Sequence, residues 1–82
     1  MNGVYYIATF FTHSGAIKYK RQMAARDIPV ELSPVPRRLS SDCGICARFS
    51  TEEEAGTLVS GDVDKLFAVE KGKEILMYAA PE

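Results

Sequence analysis

Apolar and polar positions divide the chain into a few short segments. Val4-Tyr5-Tyr6-Ile7-Ala8-Thr9-Phe10 is β-branched and aromatic, and it is apolar at both parities. That is the pattern of a strand buried on both faces in the middle of a sheet. The period then changes. Ala16, Tyr19 and Met23 recur three and four apart, with Ile17 and Ala24 beside them, while Lys18, Arg21 and Arg26 fall on the other side. Residues 15–26 are therefore predicted to form an amphipathic helix, with Thr12 or Ser14 supplying the N-cap oxygen. Residues 28–32 return to a strand, which Pro34 and Pro36 end because neither can donate to a ladder. Residues 45–49 form a third.

Ser50-Thr51-Glu52-Glu53 has the spacing of a capping box and predicts a second helical region in one or two pieces between Thr51 and Lys71. Gly56 and Gly61 weaken one continuous helix. Asp62 can cap a segment in which Val63, Leu66, Phe67 and Glu70 share a face before Gly72 stops it. Residues 74–79 close the sheet. The order β-α-β-β-α-β predicts a single ferredoxin-like α+β domain over residues 1–82, a four-stranded mixed sheet with both helices on one face. That arrangement supports many unrelated functions, so function has to be read from a site.

Eighty-two residues, 46% of them apolar, suit one small globular domain. The core is modest, which makes homodimerisation or an exposed sheet face an expectation. The net charge of −1 gives no overall pull towards nucleic acid or a membrane surface, but it hides an asymmetry. Residues 1–50 carry seven Lys/Arg against three Asp/Glu, and residues 51–82 carry three against eight. Both cysteines lie in the basic half. Residues 4–11 lack a basic leader and a cleavage-like site, and no stretch approaches the roughly 20 apolar residues that span a bilayer. The expectation is a cytoplasmic protein whose cysteines are thiols, for which a chemical role is more natural than a disulfide.

The chemistry-bearing segment is Pro34-Val35-Pro36-Arg37-Arg38-Leu39-Ser40-Ser41-Asp42-Cys43-Gly44. Two prolines stiffen its start, Ser40, Ser41 and Asp42 form a turn, and Cys43 stands at the turn's end. Gly44 behind it lets another molecule approach the sulfur closely. Thiolate is the reactive form, and neighbouring arginines favour it, whereas Asp42 opposes them if its carboxylate points inward. The plain alternative is that Cys43 is a small hydrophobe at a strand edge.

The run Pro-Val-Pro-Arg, then Leu-Ser-Ser, one variable residue and Cys-Gly, followed by Arg48-Phe49, resembles the bacterial selenium/sulfur carrier protein-like family. Thr12-His13 ahead of a helix, near Ala16, is similar too. The resemblance spans residues 4–49, and the turn is its specific part. It implies a ferredoxin-like protein whose Cys43 carries sulfur or selenium as a persulfide-type adduct. No cofactor and no metal are expected. It implies two partners, a donor such as a cysteine desulfurase and an acceptor enzyme, and a carrier rather than a catalyst. Arg37 and Arg38 then favour the thiolate or orient an anionic product such as selenophosphate, with an exposed solubilising pair as the alternative.

Cys46 completes the spacing Cys-Gly-Ile-Cys and is a candidate resolving thiol. In an extended strand, Cα atoms three apart stand about 10 Å apart, too far for a bridge, so pairing requires Cys43 and Gly44 to stay in the turn. A core cysteine is the alternative. His13, the single histidine, is a candidate base if its strand end shares a rim with Cys43, and otherwise a half-solvated residue at a helix start. Two cysteines and one histidine leave a tetrahedral zinc site one protein ligand short. Two other classes remain open. One is a binding or regulatory module using the sheet face, with Cys43 incidental. The other is a small thiol oxidoreductase using Cys43 and Cys46. Tyr5, Tyr6, Phe10 and Phe11 could stack bases, but no RNA-binding aromatic motif surrounds them, and core or dimer interface is the better reading.

Overall fold

The computed structural model describes residues 4–39 and 44–81, without the side chains of Arg38 and Ala55. The chain runs β1 (Tyr5–Phe10), α1 (His13–Ala24), β2 (Glu31–Pro34), a 3₁₀ turn (Arg37–Leu39), β3 (Ile45–Phe49), a second 3₁₀ turn (Ala55–Leu58), β4 (Val63–Glu70) and β5 (Lys73–Ala79). The sheet has the order β2-β3-β1-β4-β5, and each neighbouring pair is antiparallel. Because β3 is antiparallel to both β1 and β2, those two run parallel with β3 inserted between them, and α1 is their crossover.

The first half follows the sequence pattern. Thr12 is the N-cap, its hydroxyl accepting from the Gly15 N–H at 3.0 Å. Ala16, Tyr19 and Met23 are buried under the sheet, and Ile17 is left exposed. The helix closes with Asp27 in the left-handed region (φ 62°) and the Ile28 N–H donating to the Met23 carbonyl at 2.9 Å, which satisfies a terminal carbonyl. Strand β2 starts later than expected, at Glu31, and its last paired residue is Pro34. The edge position of β2 is what tolerates that proline.

The second half corrects the expectation. Five strands replace four, the sheet is antiparallel rather than mixed, and among the described residues α1 is the one α-helix, so the second crossover helix of the ferredoxin-like plan is missing. Residues 51–62 form a loop instead. Thr51 and Thr57 turn their hydroxyls onto local backbone, accepting from the Glu53 N–H at 3.2 Å and donating to the Glu54 carbonyl at 2.7 Å. Such bonds, with Gly56 and Gly61, compete with a helix, so the expected capping box becomes a short turn.

Val63, Leu66 and Val69 are buried, a spacing of three that imitates a helix face. The cause is a bulge: Lys65 pairs with Thr9 and Val63 with Phe10, so Asp64 has no partner on β1. The extra residue lets Val63 and Leu66 share the helix-side face, while Val69 points to the other. The Thr9 hydroxyl braces the bulge, accepting from the Lys65 N–H at 3.1 Å and donating to its carbonyl at 3.4 Å. Lys71 and Gly72, both with positive φ (54° and 78°), make the two-residue turn to β5.

The sheet thus separates two apolar layers. Beneath α1 lie Ala8, Phe10, Ala47, Phe49, Leu58, Val63 and Leu66, with the rings of Phe10, Tyr19 and Phe49 packed at 5–6 Å. On the opposite face Ile7, Cys46 and Val69 are sealed by Leu39, with Tyr5, Val35 and Phe67 around them. No helix among the described residues is long and apolar enough to cross a membrane.

Candidate functional site

The register decides which residues meet. Thr9 stands opposite Cys46, Pro34 opposite Ile45, and Val63 opposite Phe10. The end of β1, the start of α1, the end of β2 and the starts of β3 and β4 therefore lie on one rim. His13, the first residue of α1, and Gly44, just before β3, are both exposed on it. Cys43, Ser40, Ser41 and Asp42 lie outside the described residues, as does the Arg38 side chain. Leu39 and Gly44, the described residues on either side, mark where that segment begins and ends.

Its far end is Gly44, with φ of 78°, a conformation that L side chains rarely adopt. An added Cβ there would meet nothing within 4 Å, so glycine is required by the backbone angle and faces open space. The Gly44 carbonyl accepts from the Val35 N–H at 3.1 Å, which pins the two ends of the segment together. Its near end is the strap of residues 35–39. The Leu39 N–H donates to the Pro36 carbonyl at 2.9 Å, Leu39 packs inward, and Arg37 is left in solvent.

Cys46 sits beneath that strap, fully buried on the face away from α1. Its Sγ lies 3.6 Å from the Ser33 hydroxyl and donates to the Pro34 carbonyl at 3.7 Å. Small, buried and weakly hydrogen-bonded, it has the surroundings of a core cysteine; thiol exchange at that sulfur requires the strap to lift.

Across the rim, α1 presents its N-terminal amides, with no acidic residue in its first turn. Gly15 and Asp62 form a contact that sequence reasoning did not find, because Asp62 was assigned to cap a second helix. The Asp62 carbonyl accepts from the Phe11 N–H at 3.4 Å, and its carboxylate lies 3.8 Å from Lys18 Nζ. A Cβ on Gly15 would stand 3.0 Å from the Asp62 Cβ, so glycine lets the loop before β4 close against the helix start. A small residue in the first turn was the available signal.

Arg48 lies elsewhere. It is on the face away from α1, 5.1 Å over the Tyr5 ring and in register with Glu31. Tyr5, Glu31, Arg48, Phe49 and Ser50 line a shallow groove of about 250 Å³. Four residues of strand, about 13 Å, separate Arg48 from Gly44, so the groove and the rim are distinct. Among the described residues no group of three or more His, Cys, Asp or Glu side chains is placed to hold a metal ion.

Compared with known proteins, the chain matches the family model described as "Putative Se/S carrier protein-like" over residues 5–59. That span takes in β1, α1, β2, β3, the strap and Cys43, and it stops before the β4–β5 hairpin. No curated protein and no solved structure matches.

Proposed function

The chain belongs to the Se/S carrier protein-like family, and from that premise we propose that it holds a sulfur or selenium atom as a persulfide-type adduct on Cys43. The observation that carries the reading is this family match, which runs through the cysteine turn. The described geometry supports it from both sides of the turn. Gly44 is left-handed, exposed and bordered by open space, and the segment is anchored at Leu39 and at the Val35–Gly44 hydrogen bond.

The proposed step is an exchange without net oxidation. The Cys43 thiolate attacks the terminal sulfur of a donor persulfide, R–S–SH. The new bond is between Cys43 Sγ and that sulfur, the donor's S–S bond breaks, and R–S⁻ leaves as a thiolate. In delivery, an acceptor nucleophile takes the terminal atom and Cys43 returns to thiolate. The selenium case runs identically with Se in the terminal position. Donor and acceptor are proteins, a cysteine desulfurase and a biosynthetic enzyme in this proposal, and the site of action is the cytoplasm. Arg37 and Arg38 favour the thiolate, Ser40 and Ser41 offer donors to the charged adduct, and His13 on the shared rim takes up the thiol proton. Cys46 enters only as a resolving thiol reached when the strap opens.

Iodoacetamide labelling of the native protein across pH, with mass spectrometry, tests the assignment. Cys43 should label rapidly with an apparent pKa below about 8.5, Cys46 should label slowly, and incubation with a desulfurase and cysteine should add one sulfur mass at Cys43. A Cys43→Ser variant that still acquires and passes on sulfur would remove the proposal. Slow labelling with no adduct would leave the binding-module reading.

A further inference from the structure

We propose that β5 pairs with the β5 of a second copy of this chain, antiparallel about a two-fold axis at Leu76, joining two sheets into one. The pairing is independent of what Cys43 carries.

The two edges of the sheet differ in a way that singles out β5. Strand β2 is four residues long, ends in Pro34 and exposes Glu31, all features that discourage further pairing. Strand β5 is seven residues long, contains no proline, and among the described residues pairs with β4 alone. Its centre is three consecutive large apolar residues, Ile75, Leu76 and Met77, which are 48%, 54% and 48% exposed. Ile75 pairs with Ala68 and Leu76 with Phe67, so they stand on opposite faces, and Met77 has no partner on β4. A face-to-face partner would leave either Ile75 or Leu76 uncovered. A strand added edge to edge covers all of them and meets the outer backbone groups as well.

The identity of that strand follows from symmetry and area. Lys73–Ala79 is centred on Leu76, so a two-fold there sets Lys73 opposite Ala79, Glu74 opposite Tyr78 and Ile75 opposite Met77. No like charges face one another, and the apolar centre meets itself. The three side chains offer roughly 300 Å² per copy. With the backbone of seven residues the pair would bury on the order of 1,000 Å² in all, the lower bound for a specific interface and the range of a weak, reversible dimer. Gly44 adjoins β3, three strand spacings or about 14 Å from β5, so the rim of each copy stays open.

Sedimentation equilibrium on the whole protein, from about 5 to about 500 µM, should show a monomer–dimer equilibrium with a midpoint of roughly 10–100 µM. Leu76→Lys and Met77→Glu should each weaken it at least tenfold, while Ile17→Lys, an equally exposed apolar position on α1, should leave it unchanged. Thermal unfolding confirms that each variant folds. Amide exchange at Glu74 and Leu76, whose N–H groups point away from β4 because Lys73 and Ile75 face it, should slow as concentration rises. A monomer throughout the range, or a dimer insensitive to both β5 variants, would overturn the proposal.

Discussion

Tyr19 carries a hydroxyl into the helix-side core, and the Leu58 carbonyl that accepts it at 2.7 Å satisfies both buried groups. Burial pushes the phenol well above its ordinary value of 10.0, with nearby Arg26 acting in the opposite direction. The sign of the resulting linkage is fixed. Below pH 10 the ring is protonated in both states. Above it the unfolded chain ionises and the folded one does not, so folding stability falls as pH rises, by up to about 1.4 kcal/mol per pH unit. Tyr19→Phe should cost about 1–2 kcal/mol at neutral pH by leaving the Leu58 carbonyl unpaired. It should also flatten the alkaline limb. Urea unfolding at pH 7 and at several values above 10 checks both effects, and an unchanged alkaline slope would assign that limb to other groups. The side chain was readable from sequence as part of a buried stripe with Ala16 and Met23. Its partner was not, because Leu58 lies 39 residues away in a segment whose pattern suggested helix.

At the scale of elements, the clearest local signal in the second half is the pair Lys71-Gly72. Both residues have positive φ, and the flanking pair Glu70–Lys73 closes a two-residue hairpin. Such turns favour Asn-Gly or Asp-Gly, since a lysine side chain in the left-handed region is strained. Lys71→Asn should therefore stabilise the protein by about 0.5 kcal/mol, seen as a higher urea midpoint at constant slope. A loss of stability would mean that the turn is not the one described. The same glycine was read from sequence as a helix stop, and the reason is instructive. Val63 and Leu66 share a face at helical spacing only because Asp64 is an extra residue in the ladder, and periodicity cannot register a bulge before the partner strand is known. By contrast Val4–Phe10 and the Thr12 cap were legible because both depend on neighbours in the chain. The candidate site divides along the same line. The glycine after Cys43 was visible in the sequence but its left-handed backbone was not, and the sealing of Cys46 by Leu39 depends on the strap crossing the sheet.

For the whole molecule, the question is what covers the helix-side layer where a second helix was expected. Residues 51–58 do so, held from α1 by two side chains. Tyr19 takes the Leu58 carbonyl, and Arg26 donates to the Thr57 carbonyl at 2.6 Å and lies 3.6 Å from Glu53. Leu58 is the apolar end of that cover, 1% exposed among Ala8, Phe10, Tyr19 and Leu66. Removing that apolar end and removing the Arg26 tie should have different effects. Leu58→Ala opens a cavity under a small core and should cost about 2–4 kcal/mol of global stability, a large share of the total of about 5–10 kcal/mol available to a domain of this size. Arg26 is exposed and its ion pair is screened, so Arg26→Ala should cost under about 1 kcal/mol globally. It should act locally instead, releasing the loop from the helix so that the Thr57 amide, which donates to the Glu54 carbonyl, exchanges with solvent faster while the amides of β1 and β3 keep their protection. Hydrogen exchange read residue by residue separates these outcomes. Uniform loss of protection in Arg26→Ala would show that the loop and sheet unfold as one unit, in which case the loop is core rather than cover.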